Sequence, residues 1–256
     1  MNKIKVRQPA VAGQFYPSSP KALRENIQYL IDNSVSKIEA IACMLPHAGY
    51  MYSGRVAAQT LSHLKVKDKI ILLGPNHTGY GVPFSIMAEG SWQMPFGEIK
   101  IDSFLAKHIL KNSSFLEEDI SAHIYEHSLE VELPILQYFK SDFSIVPIVL
   151  LSDELSALKK IGEEIAKVIK ELDLKNSTLI VASSDMTHYE PQAQAQKKDR
   201  EAINAILELN EDKLMQKIHD LNISMCGYAP TITMLSLAKS LGAKGAKLVK
   251  YQTSGE

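Results

Sequence analysis

Short apolar runs closed by turn-forming polar stretches constrain this chain most. They cover residues 40–45, 69–73, 144–151 and 177–183. Each reads as a buried strand. Between them lie segments with apolar residues at helical spacing, as at Leu155, Leu158, Ile161, Ile165, Val168 and Ile169. Strands alternating with helices imply an α/β fold: a mainly parallel central sheet flanked by helices. Ligands of such sheets sit outside the carboxyl ends of the strands, so chemistry is expected in the polar stretches that follow the runs.

The first run ends in Pro46-His47-Ala48-Gly49-Tyr50, the second in Gly74-Pro75-Asn76-His77-Thr78-Gly79-Tyr80-Gly81. Two successive strands thus each carry a histidine just past the carboxyl end. A third polar loop, Ser184-Asp185-Met186-Thr187-His188-Tyr189, closes the last of the four runs. Parallel strands bring these loops to one edge. Cys226 stands at a helix start, where the helix dipole favours a thiolate. Two imidazoles and a thiolate make a metal site with positions left open. Plain readings stand beside this one. Taken alone, His77 reads as a loop residue bonding a carbonyl, and Cys226 as a small core residue. Cys43, inside an apolar run, reads as core.

The remaining segments complete the layout. Residues 9–17 form an extended entry. Ser18 or Ser19 caps a helix that has Pro20 in its first turn and ends near Asn33. A helix over 55–64 follows Tyr52-Ser53-Gly54. Residues 84–88, 91–94 and 98–101 are short and β-like, a small antiparallel insertion or sheet extension packed by Trp92. Asp102 caps a helix to about Lys111. Tyr125-Glu126-His127-Ser128-Leu129-Glu130-Val131-Glu132-Leu133 opens a helix that Pro134 kinks. Asp153 caps the long helix to about Leu172. Helices over 192–209, 211–221 (capped by Asn210) and 231–241 precede a last strand over 246–253. His63, His108, His123 and His219 have no partners in the pattern and are expected at the surface.

Composition excludes several classes. The 28 Lys and Arg against 29 Asp and Glu leave a formal charge of -1. That argues against a nucleic-acid or anionic-membrane binder. No apolar run approaches the ~20 residues of a membrane span, and the basic start, Met1 to Arg7, lacks the apolar core of a secretory signal. Two cysteines make no disulfide framework, so a cytoplasmic protein with reduced thiols is expected. With neither internal repeat nor linker, residues 1–256 read as one domain.

The motifs resemble the Memo family, the protein B of AmmeMemoRadiSam systems. The resemblance rests on Pro9-Ala10-Val11-Ala12-Gly13-Gln14-Phe15-Tyr16-Pro17, Pro46-His47-Ala48-Gly49-Tyr50, Gly74-Pro75-Asn76-His77, Glu126-His127-Ser128-Leu129-Glu130, Ser183-Ser184-Asp185-Met186-Thr187-His188-Tyr189 and Met225-Cys226-Gly227. It implies a fold like that of LigB-type class III extradiol dioxygenases, which hold Fe(II) with two His and a carboxylate. It also implies one metal ion, held here by His47, His77 and Cys226. Fe(II) is the expected ion, with copper or zinc as alternatives, because a thiolate replaces the carboxylate and favours softer metals. His188 is the expected proton-handling group, with Asp185 as its partner or as a loop-orienting residue. Tyr50, Tyr52, Glu126 and His127 are expected around the substrate or behind the ligands, with plain packing or capping roles as the alternative. Family members usually run somewhat beyond Glu256, so a different pocket rim is expected.

The resemblance further implies radical SAM and AMMECR-type proteins as pathway partners. Three functions remain open on the sequence: a redox-active metalloprotein acting on an unknown small molecule, a peptide- or protein-binding module with a vestigial metal site, and a zinc-type hydrolase with His188 as base.

Overall fold

The computed structural model describes residues 6–256. The segment Met1 to Lys5, read above as part of a start lacking a secretory core, lies outside the described residues. The elements run β1 (Val6–Arg7), α1 (Pro20–Leu30), β2 (Ala42–Leu45), α2 (Gly54–Ser62), β3 (Lys69–Pro75), β4 (Phe84–Ile86), β5 (Ser91–Met94), β6 (Gly97–Lys100) and α3 (Ser103–Asn112). They continue with β7 (Glu117–Glu118), α4 (Ser121–Ile124), α5 (Glu132–Phe139), β8 (Ser144–Leu150), α6 (Leu155–Glu171), β9 (Thr178–Ser183), α7 (Gln192–Leu207), α8 (Glu211–Asp220) and α9 (Tyr228–Ser240).

The main sheet has the order β2-β9-β3-β8-β4-β7. Strands β2, β9, β3 and β8 are parallel, and β4 pairs antiparallel with β8. The apolar runs fill this sheet because a parallel strand is covered on both faces. Every residue of β9 is buried, as are Ile70 to Pro75 of β3. Helix α9 packs on β3 and β9 and against α6, while α2 packs on β2 and against α1 and α5. The expected antiparallel part takes two forms. Strand β4 extends the main sheet, and the β5–β6 hairpin pairs with β1 in a separate sheet. Trp92 is buried there beneath the Arg7 guanidinium, 4.1 Å above its ring.

The sheet order positions the chemistry. Strand β9 lies between β2 and β3, so the loop after β9 is flanked by the two histidine loops. Adjacent strands are about 4.8 Å apart, close enough for side chains from outer strands to meet over the middle one.

Several expectations need correction. Residues 246–253 form no strand: no described strand runs alongside to pair their N–H and C=O groups. They face residues 38–44 across a cavity of about 1430 Å³ instead. Residues 125–131 are turns, and α5 starts only at Glu132. Pro134 therefore falls in the first turn, where no intrahelical N–H is needed, and gives no kink on that account. Pro230 likewise sits in the first turn of α9, which begins three residues before the expected Thr231. The N-cap position of α6 falls on Glu154 rather than Asp153 and that of α1 on Ser19, and neither side chain makes a capping bond. Asp102 and Asn210 do cap, accepting from the N–H groups of Leu105 and Lys213. His123 is fully buried, not at the surface; its Nε2 lies 3.0 Å from Ser85 Oγ, and burial pushes its pKa down to about 3.

Candidate metal centre

His47 follows β2 directly and is buried. Its Nδ1 is 2.7 Å from Ser183 Oγ at the end of β9, which leaves Nε2 outside that contact. Cys226, just before α9, places Sγ 3.3 Å from that Nε2. His77 follows β3 on the open side, its ring centroid 5.1 Å from that of His47. His127 stacks on His77 at 4.7 Å and stands 5.5 Å from His47. One ligand atom from each of His47, His77 and His127 lies within 4.8 Å of the others. The same holds for His47, Asp185 and Cys226. The donors thus form two overlapping sets hinged on His47.

The residues between α4 and α5 build the wall behind these donors. Glu126 is buried and takes His77 Nδ1 at 2.9 Å, together with the backbone N–H groups of His77 and Ser128. Burial alone would raise its pKa; the His77 contact and the two N–H donors outweigh that and hold it at about 2. Its Oε1 is also 3.5 Å from His127 Nδ1. A carboxylate behind Nδ1 fixes the ring and directs Nε2 outward, as is general for metal-bound histidines. Glu130 accepts from Arg7, from the N–H groups of Ala10 and Val11 and from Tyr16 Oη, so it pins the entry segment to the site. Phe15 of that segment lies edge-on to His127 at 4.9 Å.

Burial and the neighbouring imidazoles push His47 down to about 4, against the pull of Asp185 and Glu126. Burial and the Asp185 charge push the Cys226 thiol up to about 12. A neutral imidazole and a protonated thiol, paired at 3.3 Å, are what a soft-metal site presents before the ion takes the thiol proton's place. Either donor set could hold a metal ion, three imidazoles in one and an imidazole, a thiol and a carboxylate in the other, while His77 and Cys226 share neither.

The Memo-like protein family matches residues 7–256. The chain belongs to the Memo family. It is 43% identical to a MEMO1 family protein of Methanococcoides burtonii, covering 98% of this chain and 94% of that protein. It is 42% identical to a MEMO1 family protein of Aquifex aeolicus over 99% of this chain and 94% of that one. A Methanopyrus kandleri member is 40% identical over 98% and 93%. This membership extends the matching motifs noted above across nearly the whole chain.

Within this family member, the other expected residues take distinct places. Asp185 Oδ1 accepts from the backbone N–H groups of His47 and Ala48, while Oδ2 stands 3.9 Å from His47 Nε2. His188 Nδ1 lies 2.8 Å from the Ser224 carbonyl oxygen, and its backbone N–H donates to Ser224 Oγ. Tyr50 turns into the core, donating its hydroxyl to the Val131 carbonyl, whereas Tyr52 is half exposed. Tyr52, Asp185 and His188 also line the 1430 Å³ cavity, which His47, His77, His127 and Cys226 do not.

Ser183 and Glu132 were not singled out as site residues by the sequence. The available signal was the run Glu126, Ser128, Glu130, Glu132, polar groups alternating with Leu129, Val131 and Leu133. All four polar residues are buried.

Close backbone approach keeps Cys226 in place. A Cβ on Gly227 would stand 2.3 Å from the Ser183 carbonyl oxygen and 2.4 Å from Ser184 Cβ. Gly227→Ala must therefore push the start of α9 away from β9. We expect a stability loss of about 1–3 kcal/mol and faster reaction of Cys226 with a thiol reagent. Urea unfolding and alkylation rates of the two proteins check this, and an unchanged alkylation rate would refute it.

Proposed function

We propose that this protein is a mononuclear metalloprotein whose ion is held by His47, His77 and Cys226 in a dioxygenase-like cleft open to a small molecule or peptide. The observation that carries the reading is His47 Nε2 facing Cys226 Sγ at 3.3 Å while its Nδ1 is committed to Ser183. Iron or copper suits this set best, because a thiolate beside two imidazoles favours softer, redox-capable metals. When bound, such an ion supplies Lewis acidity and one-electron chemistry. The chain's own residues do the rest. Glu126 orients His77. Asp185 fixes the His47 backbone. His188, anchored to Ser224 through Nδ1, offers Nε2 as the proton-handling atom.

A second ligand set is favoured by a specific observation. His127 stacks on His77 and meets His47 within 4.8 Å, so three imidazoles hold the ion in that arrangement and Cys226 stays a free thiol. Such an all-nitrogen set suits zinc-type chemistry as well as iron.

Metal analysis of protein purified anaerobically, without added metal, tests the main reading: about one equivalent of iron or copper supports it, and metal-free protein that takes up none rejects it. Dioxygenase activity does not follow from the ligand set. The thiolate stands where an extradiol enzyme has a carboxylate, and it is itself open to oxidation. We expect the Fe(II)-loaded protein to cleave simple catechols poorly, and Cys226→Glu to raise any ring-opening rate. Oxygen uptake with a catechol panel measures both. Rapid stoichiometric uptake with ring-opened product from the wild type would contradict the expectation.

A further inference from the structure

Ser183 Oγ has three polar neighbours in hydrogen-bond range. They are the Ser128 carbonyl oxygen at 2.7 Å, Glu132 Oε1 at 2.8 Å and His47 Nδ1 at 2.7 Å. A serine hydroxyl donates one hydrogen and accepts two. The Ser128 carbonyl can only accept, so a contact this short takes the Ser183 hydrogen. The other two neighbours must then bring their own hydrogens to Ser183 Oγ. For His47 that hydrogen is Nδ1–H. For Glu132 it is a carboxylic O–H.

We propose that Glu132 is a neutral carboxylic acid that, through Ser183, holds His47 as the Nδ1–H tautomer with Nε2 bare on the Cys226 side. The opposite order, with Ser183 donating to a Glu132 carboxylate, leaves two oxygens 2.7 Å apart with no hydrogen between them. The surroundings agree with the neutral acid. Glu132 is completely buried, and its Oε2 has no hydrogen-bond partner among the described residues. A buried carboxylate with an unsatisfied oxygen is far more costly than a buried acid. The titratable groups facing it are Asp185, Cys43 and Tyr50, with His47 on the far side of Ser183; none is a cation at pH 7, His47 being held down to about 4 by burial. Burial, followed by the Asp185 charge, pushes the Glu132 pKa well above the carboxylate range, against the Ser183 bond.

Glu132 is thus a positioning residue that acts through Ser183. The neutral imidazole has two tautomers, and only one leaves Nε2 as a lone pair. In the other, Nε2 carries the hydrogen and cannot take a metal. The purpose of this order rests on the metal reading above, but the order itself belongs to the metal-free protein.

Two measurements decide it. Nitrogen–proton correlation spectra of metal-free, histidine-labelled protein report the tautomer of His47 directly. Competition with a chelator for Zn(II) compares wild type, Glu132→Gln and Glu132→Met. The expected result is His47 with Nδ1–H, a Gln variant within a few-fold of wild-type affinity because its amide N–H replaces the acid's donor, and a Met variant weaker by about 10–100-fold. An Nε2–H tautomer overturns the proposal. So does a Gln variant as weak as the Met variant, or a Met variant as tight as wild type. Should the wild type bind no Zn(II), the metal reading fails while the tautomer still decides this inference. If the Met variant does not fold, the Gln variant and the wild-type spectrum suffice.

Discussion

Glu132→Gln should raise the unfolding free energy at pH 7 by up to about 4 kcal/mol, and the gain should vanish near pH 4. The sign follows from linkage. Glu132 is raised in the folded protein by burial and by Asp185. Its contribution to stability is therefore complete below the unfolded value of about 4.3 and is lost as pH rises toward the folded value. At pH 7 the unfolded chain releases this proton and the folded chain must keep it. Each pH unit above the unfolded value costs about 1.4 kcal/mol, and glutamine titrates nowhere in this range. The amide's second N–H has no evident partner beside the orphan oxygen and offsets part of the gain. Urea unfolding of both proteins at pH 4 and pH 7 is the measurement. A stabilisation equal at the two pH values, or a loss at pH 7, would mean that Glu132 is folded as a carboxylate.

The parallel strands were legible in the sequence because a strand buried on both faces must be apolar throughout. Residues 69–73 and 177–183 could hardly serve as anything else. The loops after them were legible for the same reason: polar groups directly after such a run fall at the carboxyl edge. His47, His77 and Asp185 therefore stood out, and Cys226 joined them through its place at a helix start, with a plain core role as the alternative. The wall behind them was legible only in part. Glu126 was expected around the substrate or behind the ligands, or as a helix cap, but acidic residues usually mark a solvent face, so Glu130 and Glu132 fitted an exposed helix side, with Leu129 and Leu133 facing inward. The structure satisfies the first two with backbone N–H groups and with His77 or Arg7, and leaves Glu132 on Ser183. Such partners lie up to 123 positions away, as Arg7 does from Glu130, and no local pattern encodes them. His123 escaped for the same reason, its ring partner Ser85 coming from β4. Residues 246–253 have the composition of a strand, but composition cannot supply the neighbour that a ladder requires.

The ordinary histidine range near pH 6.5 would set the pH dependence of a metal held by exposed imidazoles. Here burial moves His47 to about 4 and raises Cys226 to about 12. Between pH 7 and pH 9 the free protein therefore holds a neutral His47 and a protonated Cys226. Binding an ion through Cys226 must release that thiol proton, so affinity should rise about tenfold per pH unit across this window. An ion held by His47, His77 and His127 releases no thiol proton, and its affinity should stay nearly flat there. Cobalt(II) reports the donor as well as the affinity, because a bound thiolate adds a near-ultraviolet charge-transfer absorption. The decisive measurement is a Co(II) titration of wild type and Cys226→Ser at pH 7, 8 and 9. The predicted result is saturation at one equivalent, with thiolate absorption and a tenfold gain per pH unit in wild type and neither of those two signatures in the serine variant. A wild-type titration that fails to saturate, or that saturates with flat affinity and no thiolate absorption, would contradict a centre built on His47, His77 and Cys226.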